Sequence, residues 1–255
     1  MTKIILNGCM GKLSNAISNL AQYDKHCEIV GGIDIVGSGS GLAFPTYSDL
    51  DNCDLDADVI VDCSVVETIP SLLNFGIKRQ MPLVICTTGL SKEQIEDVYD
   101  ASKKVAILQS ANMSLGINLL VNMVQQAAKL LHDSNFNIEI IEKHHNQKVD
   151  APSGTALLLA DTINQSLDNQ MDYVYDRSTM RNKRGVNEIG FHALRGGTIV
   201  GEHSVVFAGT DEVIEFSHQA LSKEVFAVGA LKAACFMKGK APGFYTMQDV
   251  ILAKQ

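Results

Sequence analysis

In the first half of the chain, short apolar runs at 3–7, 27–34, 57–64, 82–86 and 105–108 alternate with stretches of helical spacing. Strands that alternate with helices in this way fold as a parallel sheet, and ligands then collect at the carboxyl ends of the strands. The polar strand ends Ser64, Thr87-Thr88-Gly89 and Asn112 fall on that rim. The helix after the third run is expected over 67–79, and the next begins at a Ser91 cap with Glu93 as its near partner.

The first run passes straight into Gly8-Cys9-Met10-Gly11-Lys12-Leu13-Ser14 and then a helix. Strand, glycine turn and helix make the phosphate-binding opening of a dinucleotide fold. Gly8 makes the tight turn and Gly11 lets backbone approach a pyrophosphate at the helix N-terminus. Ser14 stands where the usual fingerprint has a third glycine. Asp34, ending the second run, sits where a carboxylate accepts hydrogen bonds from the adenine ribose; the plain alternative is a strand-end cap. The expected ligand is a dinucleotide. A loop rich in Gly and Ser follows at 38–45.

Beyond Ser114 the period changes. Leu119-Leu120, Met123-Val124, Ala127-Ala128 and Leu130-Leu131 mark one face of a long helix. Phe136, Ile138 and Ile140 then alternate, as in a strand with one buried face. That strand ends in Glu142-Lys143-His144-His145, followed by Lys148 and by Asp150-Ala151-Pro152-Ser153-Gly154-Thr155-Ala156. Neighbouring strand residues face opposite ways, so His144 and His145 do different work. The loop to Lys148 is long enough to turn its ammonium toward one imidazole. Ser153, Gly154 and Thr155 open a helix whose first N–H groups form an anion site. Imidazoles, an amine and an anion cradle together suit acid catalysis on an anionic substrate. The plain reading is a surface histidine pair beside a helix-capping phrase.

The segment 168–187 is polar, and its Arg177, Arg181, Lys183 and Arg184 read as a solvated loop. Runs at 188–194, 198–207 and 212–218 are β-like, with Arg195-Gly196-Gly197 and 208–211 as hairpin turns. An antiparallel sheet after a βαβ region signals a second domain.

The net charge of −8 argues against general binding to nucleic acid or to anionic membranes. No apolar run has the length of a membrane span, and the N-terminus enters a strand with no signal peptide, so a cytoplasmic protein is expected. The six cysteines have no metal-like spacing and read as reduced core thiols. No metal site is expected.

The string from Glu142 to Ala156 resembles the signature E-x-H-H-x-x-K-x-D-A-P-S-G-T-A of the 4-hydroxy-tetrahydrodipicolinate reductase (dihydrodipicolinate reductase) family, with every specified position present. The resemblance extends to strand ends that contact the nicotinamide in that family. Its D-F-[TS] reads Asp62-Cys63-Ser64 here, its G-T-T-G reads Cys86-Thr87-Thr88-Gly89, and its A-x-N-[MF]-S junction matches at Ala111, Asn112, Met113 and Ser114. A later H-x-x-R-G-G-x-x-G-E-H fits His192, Arg195, Gly196, Gly197, Gly201, Glu202 and His203, and Lys223 stands where Arg is commoner.

The resemblance implies an α/β chain. A Rossmann-type dinucleotide-binding domain takes 1–112 and 219–255, and an α+β substrate-binding and oligomerisation domain with an open mixed sheet takes 113–218. It implies NAD(P)H-dependent reduction of 4-hydroxy-tetrahydrodipicolinate, via dihydrodipicolinate, to tetrahydrodipicolinate in lysine and diaminopimelate biosynthesis. The substrate is a cyclic imine dicarboxylate, and the assembly is a homotetramer. His144 is then the candidate proton donor and Lys148 a source of positive charge or of a second proton. His145, Ser153, Gly154 and Thr155 hold the carboxylates.

Other classes fit less well. A nonenzymatic nucleotide-binding regulator needs Gly8, Gly11 and Asp34 but neither Lys148 nor the 153–155 cradle. A zinc enzyme would need His144 and His145 to converge on one ion from opposite faces. A semialdehyde dehydrogenase needs a nucleophilic cysteine beside a base, and Cys86 has no histidine near it in sequence.

Overall fold

The computed structural model describes residues 1–35 and 41–253, so positions 38–40 of the expected loop lie outside the described residues. The elements run β1 (Thr2–Asn7), α1 (Lys12–Ala21), β2 (Cys27–Ile33), β3 (Thr46–Tyr47), β4 (Val59–Asp62), α2 (Ile69–Arg79), β5 (Leu83–Ile85), α3 (Lys92–Ser102), β6 (Ala106–Gln109) and α4 (Leu115–Leu131). They continue as β7 (Asn137–His144), α5 (Gly154–Ser166), β8 (Asp172–Val174), β9 (Glu188–Arg195), β10 (Gly201–Ala208), β11 (Val213–Ala220), α6 (Glu224–Met237), β12 (Gly243–Tyr245) and α7 (Met247–Leu252). Contacts divide the chain into two units, Met1–Leu115 with Glu224–Gln255, and Gly116–Lys223.

In the first unit a seven-stranded sheet runs β12-β6-β5-β4-β1-β2-β3, and every pairing is parallel. Alternate residues of each buried strand feed opposite faces. Ile4, Leu6, Val61 and Leu108 pack with α1 and α6, while Ile5, Ile60, Ile85 and Ile107 pack with α2 and α3. The buried residues of α6 are mostly small (Ala227, Gly229, Ala230, Ala233, Ala234), with Leu231 and Met237 among them. A Cβ on Gly229 would lie 1.7 Å from the Met113 carbonyl oxygen, so only glycine fits there. α3 begins with a capping box, but the partner of Ser91 is Gln94 and not the expected Glu93. The side chain that reaches back to the cap's N–H stands three residues after it, and Glu93 is one too early.

The second unit holds a mixed five-stranded sheet in the order β11-β10-β7-β9-β8. Ile138 and Ile140 of β7, Val205 and Phe207 of β10, and Ile189 and Phe191 of β9 meet α4 and α5 on one face. The other face carries a half-exposed polar ladder in which Lys143 binds Glu202 at 2.9 Å and Ser204 meets Ser217 at 2.6 Å.

Three expectations change here. Residues 208–212 do close a hairpin between β10 and β11, but Arg195-Gly196-Gly197 does not close one. β7 lies between β9 and β10, parallel to the first and antiparallel to the second. The Gly-Gly turn crosses the end of β7 instead: the Gly196 N–H donates to the His144 carbonyl at 2.9 Å, and the Asn146 N–H to the Gly197 carbonyl at 3.2 Å. The buried stripe of α4 is Ile117, Leu120, Val121, Val124 and Ala128, with Leu119, Met123 and Leu130 exposed. Apolar doublets cover more of the helix surface than one packed face needs. The basic loop is also not simply solvated. Arg184 bonds Glu139 at 2.8 Å and the Ile138 carbonyl at 2.9 Å, and Arg177 bonds Glu188, so these side chains clasp the loop to β7 and β9.

Candidate active site

In the first unit the ladder runs on beyond the strand ends. The Cys63 N–H donates to the Asn7 carbonyl at 2.9 Å, the Cys86 N–H to the Asp62 carbonyl at 2.8 Å, and the Ser110 N–H to the Ile85 carbonyl at 3.3 Å. The candidate turns Gly8–Lys12, Cys63-Ser64, Thr87–Gly89 and Ala111–Met113 therefore stand in order along one carboxyl rim.

Gly8 has φ +73°, and a Cβ there would sit 2.9 Å from the Cys63 carbonyl oxygen. Strand end and turn pass too close for any side chain. Gly11 is the N-cap of α1, with no side chain capping the helix and no acid in its first turn. The first N–H groups are thus left to an anion. Ser14 is accommodated by turning its hydroxyl back onto the Gly8 carbonyl at 2.8 Å. One oxygen of Asp34 accepts the Met10 N–H at 3.1 Å, which fixes the carboxylate at the mouth of the turn. A cavity of about 600 Å³ is lined by Gly8, Gly11, Asp34, Cys63 and Ser64, among others. Crowded glycine turn, uncapped helix start and fixed carboxylate fit a dinucleotide.

Among the other candidates Met10, Lys12, Thr88, Gly89 and Ala111 are exposed, whereas Cys9, Thr87, Asn112 and Met113 are buried. The Thr87 hydroxyl donates to Asp62 at 2.6 Å, and the Asn112 side-chain oxygen accepts the Ser114 N–H at 2.9 Å. Asp62 was not among the candidates, yet it organises this rim from inside. It is fully buried, and Asn7 at 2.8 Å, Ser64 at 2.5 Å and Thr87 all donate to it. Burial pushes its carboxyl above the ordinary range, although these donors pull the other way. Cys86 supplies no nucleophile. Its hydrogen bond with Cys63, and then burial, drive the thiol well above its usual value.

The second unit gathers Glu142, His144 and their neighbours at the end of β7. Glu142 and His144 keep the parity of Ile138 and Ile140, so both face the covered side of the sheet and are 1% and 9% exposed. His145, just past the end of β7, is half-buried. Glu142 Oε2 meets His144 Nδ1 at 2.6 Å, and Arg195 grips both carboxylate oxygens at 2.6 Å. Burial pushes the Glu142 carboxyl up, but Arg195 and His144 together outweigh it and hold it below the usual carboxylate range. An ionised carboxylate only accepts, so Nδ1 of His144 carries the proton of that bond.

His203 meets the His144 ring edge-on, with centroids 5.1 Å apart, and its Nε2 lies 2.9 Å from the Ser153 hydroxyl. Burial first, then the His144 ring, lower its pKa to about 4, so it is neutral at physiological pH. The Lys148 ammonium pairs with Asp150 at 2.8 Å, the neighbour that receives its charge in this structure.

Ser153 caps α5 by accepting the Ala156 N–H at 3.2 Å. The hydroxyl is buried and shared with His203, so it does not reach out to a carboxylate as expected. What the segment presents instead is the first turn of α5. Gly154 is exposed there, and a Cβ on it would meet nothing within 4 Å. Thr155 beside it is half-buried. Arg195 and His203 came to notice in the sequence only as part of a matching pattern; in the structure Arg195 binds Glu142 and His203 packs against His144.

Comparison with known proteins agrees with this geometry. The family models described as dihydrodipicolinate reductase, N-terminus, and dihydrodipicolinate reductase, C-terminus, match residues 2–113 and 116–251. The chain is 53% identical over 251 residues to the 4-hydroxy-tetrahydrodipicolinate reductase of Caldanaerobacter subterraneus subsp. tengcongensis, with 98% of each chain covered. It is 50% identical over 254 residues to that of Clostridium novyi, with 100% of each covered. A solved structure, the dipicolinate-bound dihydrodipicolinate reductase from Paenisporosarcina sp. TG-14, superposes with a TM-score of 0.82 at 19% identity, covering 99% of this chain and 100% of that one. The chain belongs to the dihydrodipicolinate reductase family.

Proposed function

We propose that this chain reduces 4-hydroxy-tetrahydrodipicolinate, via dihydrodipicolinate, to tetrahydrodipicolinate in lysine and diaminopimelate biosynthesis, with His144 as proton donor. The observation that carries the residue assignment is the His144–Glu142–Arg195 chain at 2.6 Å contacts, in the unit that also presents the open first turn of α5. Residues 1–112 with 219–255 bind the dinucleotide, and 113–218 bind the substrate and join subunits. NADH or NADPH, when bound, supplies the hydride.

The rim residues Gly8, Gly11 and Asp34 hold the dinucleotide's phosphates and ribose, and the turns at 63–64, 87–89 and 111–113 border its nicotinamide. The Thr155 hydroxyl and the N–H groups of Gly154 and Thr155, with His145, hold the ring carboxylates. Water leaves the hydroxylated ring first. Once the ring has accepted the hydride it would be an enamine, and His144 delivers a proton to it through Nε2, the ring nitrogen that Glu142 does not occupy. Lys148 places positive charge near the ring nitrogen as its charge changes. The direct test couples the chain to the synthase that condenses pyruvate with aspartate semialdehyde, and follows nicotinamide oxidation. No rate above background would remove the enzyme reading.

Planar pyridine-2,6-dicarboxylate should compete with the substrate, and Thr155→Val should weaken that inhibitor more than it weakens the cofactor. Equal loss of both, measured by titration, would place the loop elsewhere. Asp34 can accept from both free ribose hydroxyls of NADH, whereas it meets the 2′-phosphate of NADPH as a like charge. Ile35, next in the chain, is exposed and supplies no cation. NADH should therefore be used at least as well as NADPH. A kcat/KM clearly higher for NADPH at low salt, surviving Lys12→Ala, would show that Asp34 points away.

The polar, half-exposed face of the second unit's sheet is the surface we assign to a homotetramer, and light scattering that returned a monomer would remove that assignment. A cytoplasmic location suits six thiols that are all free. Fractionation placing the protein outside the cytoplasm would overturn it. No nucleic-acid or membrane partner is needed, and among the described residues no helix is long and apolar enough to cross a membrane.

A further inference from the structure

Glu142 carries no role in the reaction as described above, yet it is the most completely bonded side chain of the second unit's site. Its Oε2 takes His144 Nδ1 and Arg195 Nη1, both at 2.6 Å; its Oε1 takes Arg195 Nη2 at 2.6 Å and the Ser153 N–H at 3.0 Å. All four lone-pair directions are therefore filled on a carboxylate that is 1% exposed. Arg195 also donates from Nη2 to the Asp150 carbonyl at 2.7 Å. One ion pair thus touches the histidine ring, the loop that carries Lys148 and the residue that caps α5.

Glu142 is buried and Arg195 partly so, and desolvating charges in this way offsets much of their attraction, so the pair is a poor device for stability alone. Orientation is what such a pair supplies well. We propose that Glu142 is the positioning residue of the proton donor: with Arg195 as its counter-ion, it holds one ring proton of His144 on Nδ1, leaves Nε2 to take up a proton from solvent and deliver it, and ties that ring to the first turn of α5. This rests on the reading of His144 as the acid.

The strand register explains how the pair assembles. His144 lies opposite Arg195 across β7 and β9, and Glu142 lies opposite His203 across β7 and β10. Arg195 consequently reaches diagonally past the ring to the carboxylate. The charged and titratable groups around His144 are Glu142 on its own strand, Arg195 on β9, His203 on β10 with His218 opposite it on β11, and Lys148 and Asp150 on the loop. Glu142 and Arg195 are opposite charges locked together, and Glu142 is the one bonded to the ring.

Removing either one should unbalance the site with a predictable sign. In Glu142→Gln the guanidinium remains and disfavours a protonated ring, so the alkaline limb of the kcat profile moves down by about one pH unit or more. In Arg195→Gln the carboxylate remains, and the limb moves up by a similar amount. A residue that merely supports the fold would lower the height of both profiles and leave the limb in place.

The experiment measures kcat against pH for the full chain and for Glu142→Gln, Arg195→Gln and His144→Ala. Opposite displacements in the first two variants support the proposal; a limb unmoved in both, or moved the same way, overturns it. His144→Ala should abolish the limb, and a limb that survives there means that the acid assignment has failed, separately from the pairing. Nitrogen-15 spectra of the wild-type imidazoles supply a reading that needs no Glu142 or Arg195 variant. In spectra of the neutral ring the single proton of His144 is expected on Nδ1, and a neutral ring protonated at Nε2 would sink the proposal even if both variants failed to fold.

Discussion

His144→Ala and Lys148→Ala are each expected to lower kcat by about 10²-fold or more, the usual scale for losing general-acid help. The expectation for His144 comes from its placement. The ring is 9% exposed and held through Nδ1 by an ionised carboxylate at 2.6 Å, so a single nitrogen is left to deliver a proton. Alanine removes the donor and also leaves Glu142 with one partner fewer in a buried position, so circular dichroism must accompany the kinetics.

Lys148 is placed differently. Its ammonium is tied to Asp150, a residue that is itself exposed, and that hydrogen bond is the first cause of Asp150's lowered pKa. An anionic ring arriving at the site can compete with Asp150 for the ammonium. Lys148→Ala should therefore raise KM as well as lower kcat, while His144→Ala acts mainly on kcat. Steady-state kinetics in the synthase-coupled assay, with wild-type turnover in both variants, would show that the active site has been assigned to the wrong residues.

The sequence displays the parallel sheet because each of its strands is a locally closed signal: an apolar run, a polar end and a helix after it. The short edge strands β3 and β12 carry no such signal, since two or three residues give no periodicity and exist as strands only through their neighbours. The order of the second sheet is hidden for a related reason. Arg195-Gly196-Gly197 has hairpin chemistry locally, and only the long-range insertion of β7 between β9 and β10 turns it into a crossing.

The acid site is half legible. Parity along β7 puts Glu142 and His144 on the side of Ile138 and Ile140, and a carboxylate at a core position asks for a partner. That partner is distant in sequence, so Arg195 could not be found by spacing. Asp62 gives the same signal at the end of an apolar strand, and its donors Asn7, Ser64 and Thr87 come from other strand ends or the following turn. Ser153 shows the opposite failure. Its residue type suits anion binding and helix capping equally, and burial alone decides for capping.

Stability should fall as the pH drops from about 6.5 toward 4, and His203 should account for a large part of the loss. In the folded chain its pKa is lowered from 6.5 to about 4, by burial first and then by the His144 ring. In the unfolded chain it titrates near 6.5. Between these values the unfolded state binds a proton that the folded state does not, so lowering the pH favours unfolding. The contribution is complete above about pH 6.5 and gone below about 4, and linkage puts it at about 3 kcal/mol across that window. His218, also lowered by burial, acts in the same direction. Asp62 opposes them, because a carboxyl raised by burial makes the folded state bind the extra proton as the pH falls. The depressed Glu142 carboxyl adds its loss only below its ordinary value of 4.5. Subtracting a variant isolates His203 from all of these. Urea unfolding at pH 7.5 and 5.0 should show wild type losing about 2 kcal/mol more than His203→Asn between the two conditions. Asparagine can still bond the Ser153 hydroxyl but has no proton to gain. Equal losses in the two proteins would mean that His203 is already charged, or already solvated, in the folded state.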